Sequence, residues 1–195
     1  MNSRSTAIDL FAGAGGFSAG LRWAGFDIAW AIDKSEHCAQ TYRHNHPDVE
    51  FVTDDIREVD PDDLRFTGDE LELVVGGPPC PTFSSMGRGK MSSLGNEKRP
   101  ENPEQTEIPK DDGSPRDRSN VLTDDRHYLF EEFIEYVEVL QPQAFLMENV
   151  RGMRHAKTHT GENVVKRITR ELREAGYRVS VQDLNAADYG VPQER

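Results

Sequence analysis

Cysteine is nearly absent: Cys38 and Cys80 are the only two in 195 residues. Two thiols cannot form a disulfide framework, and neither has companion ligands at the spacing of a structural zinc site, so reduced thiols and no metal are expected. Long apolar runs are missing too. Stretches such as residues 71–75 are far too short to span a bilayer, and residues 1–6 lack the apolar centre of a secretory signal. The chain therefore reads as soluble and cytoplasmic, with no membrane partner. Positive charge is scarce: 23 Lys and Arg face 35 Asp and Glu, a formal net charge of −12. Such a balance gives no hint of the basic face that phosphate backbones attract, and by composition alone it argues against a nucleic-acid partner.

What is present is a repeating alternation of short apolar runs and helical periodicities. "STAIDLF" reads as a buried strand, "AGAGG" as a tight turn, and "FSAGLRWAG" as a helix closed by Gly25. "FDIAWAID", "EFVTDDI", "LELVVGG", "QAFLMEN" and "YRVSVQDLN" are the second to sixth strands. "SEHCAQTYRHNH", begun by Ser35 and stopped before Pro47, "HYLFEEFIEYVEVL" and "GENVVKRITRELREAG" are the intervening helices. Strands alternating with helices predict an α/β fold: a doubly wound, mainly parallel, Rossmann-like sheet with helices on both faces. One domain over residues 1–195 is expected at this length. Residues 86–125, rich in Gly, Ser, Pro, Asn and charge, read as a long flexible loop.

In such sheets ligands sit at the carboxyl ends of the strands. Phe11, Asp33, Asp55, Cys80 and Glu148 all fall at or just past predicted strand ends, so the topology would bring them to one rim. Gly13, Gly15 and Gly16 let the first turn bend sharply and a ligand approach the backbone. Position 18 is Ser where the common dinucleotide fingerprint has Gly, which favours a different nucleotide-like cofactor. Asp33 can accept from a ribose diol, and Asp55 can hold an adenine amino group while Ile56 packs on the ring; the competing reading is that they are capping or solvated acids. Cys80 stands between prolines in "GGPPCPTFSSMG", a frame that packing alone does not require.

Four ordered stretches, "DLFAGAGGFSAGL", "GGPPCPTFS", "MENVRGM" and "ADYGVPQER", resemble the motifs of the cytosine-C5 DNA methyltransferases, over essentially the whole chain. The resemblance implies transfer of a methyl group from S-adenosyl-L-methionine to carbon 5 of a DNA cytosine. It implies Cys80 as the nucleophile that adds to carbon 6 of a flipped base. Glu148 would be the acid at N3, favoured in its neutral form by burial at the rim, with Asn149 and Val150 orienting it. Phe11 would pack on the adenosyl group, Gly13 and Gly15 would admit the methionine moiety, and Asp33 would carry the ribose contact. Asp55, Ile56 and Leu129 would meet the adenine, Pro79 would lie beside the methyl donor, and Ser84 and Arg195 would join Asn149 on the substrate side.

Three departures stand out. Pro81 replaces the Gln that usually follows the nucleophile, Ala31 stands where a Glu is frequent, and residues 86–125 exceed the expected loop length. The family also continues past Arg195 with a target-recognition region. The chain is thus expected to be a fragment, an inactive cofactor-binding remnant, or one subunit of a split enzyme whose second chain supplies the C-terminal half. A cytosine methyltransferase acting on RNA is the remaining alternative. Placing most DNA contacts in that other half resolves the charge conflict, and an acidic excess spread along the chain also suits a halophilic source, where counterion-release attraction is weak. Membership of a restriction–modification system is a further expectation from the resemblance.

Overall fold

The computed structural model describes residues 5–66, 70–79 and 128–193. Five parallel strands form one sheet: β1 (Thr6–Leu10), β2 (Asp27–Ile32), β3 (Glu50–Val52), β4 (Leu73–Gly76) and β5 (Ala144–Met147), in the order β3-β2-β1-β4-β5. The chain steps outward from β1 through β2 to β3, then returns to the other side of β1 for β4. The reversal point lies between β1 and β4, where Leu10 is in register with Gly76. Doubly wound sheets open their ligand crevice at this point, beyond the strand ends.

Among the described residues, four α-helices, α1 (Gly16–Trp23), α2 (Glu36–Asn45), α3 (Leu129–Leu140) and α4 (Val164–Glu174), are amphipathic and cover the two faces. Ala39 and Tyr42 of α2, with Leu21 of α1, pack on Ala7, Ile28, Ala31 and Phe51. Phe130, Phe133, Tyr136 and Val137 of α3, with Ile168 and Leu172 of α4, pack on Ile8, Leu10, Trp30 and Val74 of the opposite face. Fully burying an aromatic or aliphatic side chain of this kind stabilises the fold by roughly 1.5–3 kcal/mol. Gly76 is required by close packing: a Cβ there would sit 2.7 Å from the Leu10 carbonyl oxygen and 3.0 Å from Phe133.

Helix boundaries follow side-chain caps. The Ser35 hydroxyl accepts from the Cys38 amide at 3.3 Å and starts α2, as expected. The last helix begins later than residue 161 because the Asn163 side chain takes the N-cap and accepts from the Lys166 amide at 3.0 Å. The third strand is shorter than "EFVTDDI": pairing ends at Val52, and Asp55 caps a short 3-10 turn, Ile56–Glu58. The sixth strand is not formed. Residues 177–185 carry no ladder; Tyr177 and Val179 pack on the core, but Val181 and Leu184 are 46% and 61% exposed. An extended segment without a hydrogen-bonding neighbour gains no strand pairing. Among the described residues no helix is long and apolar enough to cross a membrane.

Candidate cofactor and catalytic site

The rim is tied together by side chains from the strand ends. Asp33, just past β2, accepts from the Gly13 amide at 2.9 Å through Oδ2 and from the Ser35 amide at 2.8 Å through Oδ1. It thereby joins the turn after β1 to the start of α2. The Ala12 amide donates to the Ile32 carbonyl at 2.9 Å, and the Asp33 amide to Val52 at 3.2 Å, so the ends of β1, β2 and β3 are contiguous. Phe11 holds φ 57 and Gly13 φ 54. A left-handed Phe costs roughly 1–2 kcal/mol, and strain of this size concentrates at functional turns. Among the described residues, its two chain neighbours aside, no atom lies within 4 Å of where a Gly13 Cβ would stand.

Gly15 faces the other way. At φ 92, a Cβ would lie 2.6 Å from His46 Nε2 and 3.1 Å from Tyr42. Its smallness serves the packing beneath the turn. Gly15→Ala is expected to lower stability by roughly 2–5 kcal/mol, the sum of a left-handed alanine and overpacking against a buried ring. The urea midpoint reads this out, and a midpoint shift equivalent to less than about 1 kcal/mol would contradict it.

Under this turn lies a charged group that the sequence reading passed over. Asp9 is fully buried in β1; its Oδ2 accepts from the Ser18 amide at 3.1 Å and the Ser18 hydroxyl at 2.7 Å, and that hydroxyl meets the Tyr42 hydroxyl at 2.6 Å. Gly15, the N-cap of α1, has no side chain to accept from the first turn, and Asp9 supplies the acceptor from the neighbouring strand. Burial pushes the Asp9 carboxyl up to about 6, against the opposing Ser18 hydrogen bonds. The folded state therefore keeps this proton between about pH 4 and 6 while the unfolded chain has released it, so this group's contribution to stability falls as pH rises through that window. Asp9→Asn is expected to abolish about 3 kcal/mol of that pH-dependent change. Denaturant unfolding of both proteins at pH 4 and pH 7 tests it; parallel pH profiles would contradict the assignment.

On the other side of the reversal point, Glu148 follows β5, and its amide donates to the Gly76 carbonyl at 2.9 Å. Its Oε2 is 3.4 Å from where a Gly77 Cβ would stand. Glu148 is exposed in this structure, not buried as expected. Asn149 donates through Nδ2 to the Pro78 carbonyl at 2.8 Å and accepts from the Val150 amide at 2.9 Å. It thus couples the segment after β5 to the one leading to exposed Pro79. Cys80, Ser84 and Arg195, like residues 86–125, lie outside the described residues. Asp55 and Ile56 sit past β3, Ile56 buried in the same apolar cluster as Leu129, which begins α3. Leu129 is 4% exposed and edges a cavity lined also by Arg57, Tyr128, Glu131, Glu132 and His159.

The chain matches the sequence model of the C-5 cytosine-specific DNA methylases over residues 5–98 and 113–195. It belongs to that family. The gap between the matched segments falls within residues 86–125. The chain is 38% identical over 188 residues to the type II methyltransferase M.DdeI of Desulfomicrobium norvegicum, covering 96% of this chain and 38% of that one. It is 32% identical over 197 residues to the type II methyltransferase M.AquIA of Picosynechococcus sp., covering 96% of this chain and 67% of that one. The Dnmt2 methyltransferase of S. pombe shares the fold, with a TM-score of 0.63 at 21% identity over 98% of this chain and 48% of that one. The chain thus spans about two fifths of the length of M.DdeI.

The cofactor of this family is S-adenosyl-L-methionine, and the rim fits it. Among the described residues the space beside Gly13 is open, Phe11 is half-buried, and Asp33 and Asp55 place carboxylates, groups that accept from hydroxyl and amine donors, past the ends of β2 and β3. Among the residues the sequence reading overlooked, Asp9 carried a signal, a lone acid inside an apolar strand. The contact from Asn149 to Pro78 carried none, since it depends on packing between segments.

Proposed function

We propose that this chain carries the catalytic half of an enzyme that methylates carbon 5 of cytosine in DNA. The observation that carries this reading is the union, past the ends of the neighbouring strands β4 and β5, of the two family segments that flank Cys80 and contain Glu148, through the hydrogen bond from Asn149 to Pro78. The cofactor supplies an electrophilic methyl group when bound. Cys80 acts as the thiolate: its sulfur forms a bond to carbon 6 of the base, and the displaced electron pair enriches carbon 5. Glu148 holds a proton against N3, so that the charge developing on the ring is neutralised. Once carbon 5 has bonded to the methyl group, loss of its proton to water expels the thiolate from carbon 6 and restores the aromatic ring. A base stacked in a duplex cannot be reached, so the target is flipped out, with Asn149, Ser84 and Arg195 on the substrate side.

Phe11, Gly13, Asp33, Asp55, Ile56 and Leu129 would hold the adenosyl end, and Pro79 would lie beside the methyl donor. Because relatives extend well beyond the matched part, further polypeptide supplies target recognition and most phosphate contacts. The length of M.DdeI and the exposed apolar residues Val181, Leu184, Tyr189 and Val191 support this. The test is incubation with S-adenosyl-L-methionine and duplex DNA or tRNA, followed by nucleoside analysis. 5-Methyldeoxycytidine from the DNA supports the proposal; 5-methylcytidine from the tRNA alone would replace it.

A further inference from the structure

Asp55 and Arg57 form a local clamp at the end of β3. Arg57 Nε donates to Asp55 Oδ1 at 2.9 Å, its terminal nitrogen to Oδ2 at 2.7 Å, and its backbone amide to Oδ1 at 3.2 Å. The Asp55 amide is itself held by Asp54 Oδ1 at 2.8 Å. A carboxylate offers about four acceptor positions. Three are taken, two on Oδ1 and one on Oδ2. Lys34 Nζ, 3.9 Å from Oδ2, is too distant for a hydrogen bond.

We propose that Arg57 is a positioning residue that sets the cofactor's base specificity: by gripping both oxygens of Asp55 it fixes the carboxylate and leaves one acceptor, on Oδ2, for one N–H of an exocyclic amine. The inference rests on the reading of Asp55 as the adenine contact. A bidentate guanidinium–carboxylate pair fixes orientation as well as charge, which a lysine cannot do. The same hydrogen bonds hold the Asp55 carboxyl down at about 2; ionised at neutral pH, as an ordinary aspartate also is, it only accepts and opposes a 6-oxo purine, which presents a carbonyl oxygen there. Glu132, from α3, lines the same cavity as Arg57 and adds a second acidic neighbour to its guanidinium.

The probes are S-adenosyl-homocysteine and its 6-oxo counterpart, S-inosyl-homocysteine, with binding measured by calorimetry. Arg57→Gln is expected to weaken the adenosyl ligand about two- to five-fold, the range for partly exposed ion pairs, without weakening the inosyl ligand, so that discrimination contracts. Arg57→Lys should fall between. Equal weakening of both ligands would mark Arg57 as merely structural and overturn the proposal, as would unchanged discrimination. Asp55→Asn separates the two levels. Lost discrimination in Asp55→Asn upholds the adenine reading whatever Arg57 does, whereas unchanged affinities there, or no binding by the unaltered chain, would overturn that reading and the proposal with it.

Discussion

Cys80→Ser is expected to reduce methyl transfer by 10³-fold or more, on the order seen when an enzyme loses its nucleophile. The serine hydroxyl has the shape of the thiol but is not ionised near neutral pH, so the bond to carbon 6 would not form. Binding of the cofactor should persist, because the residues proposed to hold the adenosyl end, Phe11, Gly13, Asp33 and Asp55, follow β1, β2 and β3. Loss of turnover with cofactor affinity within about two-fold of the unaltered protein supports the role. Retained turnover would remove Cys80 from the mechanism.

Glu148→Gln should lower turnover by about 10²–10⁴-fold, the usual contribution of a positioned acid or base. The amide keeps the size and the exposed position of the side chain after β5. It cannot hold the transferable proton at N3. The distinguishing feature is a fall in kcat with little change in the Kd for DNA, since an interaction that strengthens only as charge develops affects the rate and not ground-state binding. A weakened Kd with kcat unchanged would instead make Glu148 a binding residue. Burial of this group, expected from the sequence, is not found, so the dry surroundings an acid needs would come from the bound base or from further polypeptide.

Much of the sheet was legible in the sequence because its three inner strands, β2, β1 and β4, are largely buried. "AIDL", "IAWAI" and "LVV" are uninterrupted apolar runs apart from Asp9, and each forms a strand. The run "YRVSVQDLN" alternates as well as any, yet makes no strand, since alternation reports a face to be covered and not the presence of a neighbour to pair with. The end of β3 was misjudged for another reason: Asp55 and Arg57 bond to each other and close a 3-10 turn, where local side-chain capping prevails over strand propensity. In the site, positions at strand ends were readable from topology alone. Gly15 was readable as a glycine but not for its reason, because the crowding by His46 and Tyr42 comes from α2 and the residue that follows it. The coupling of Asn149 to Pro78 spans 71 residues and no local pattern announces it.

The central claim is tested most directly with duplex DNA carrying 5-fluorocytosine at target positions. Fluorine cannot leave as a cation, so once sulfur has bonded to carbon 6 and the methyl group has arrived, the thiolate cannot be expelled. The account predicts a cofactor-dependent species on denaturing gels with the combined mass of protein and DNA, formed by the unaltered protein and absent from Cys80→Ser. Methylation of ordinary DNA without any such species, or a species that persists in Cys80→Ser, would contradict it.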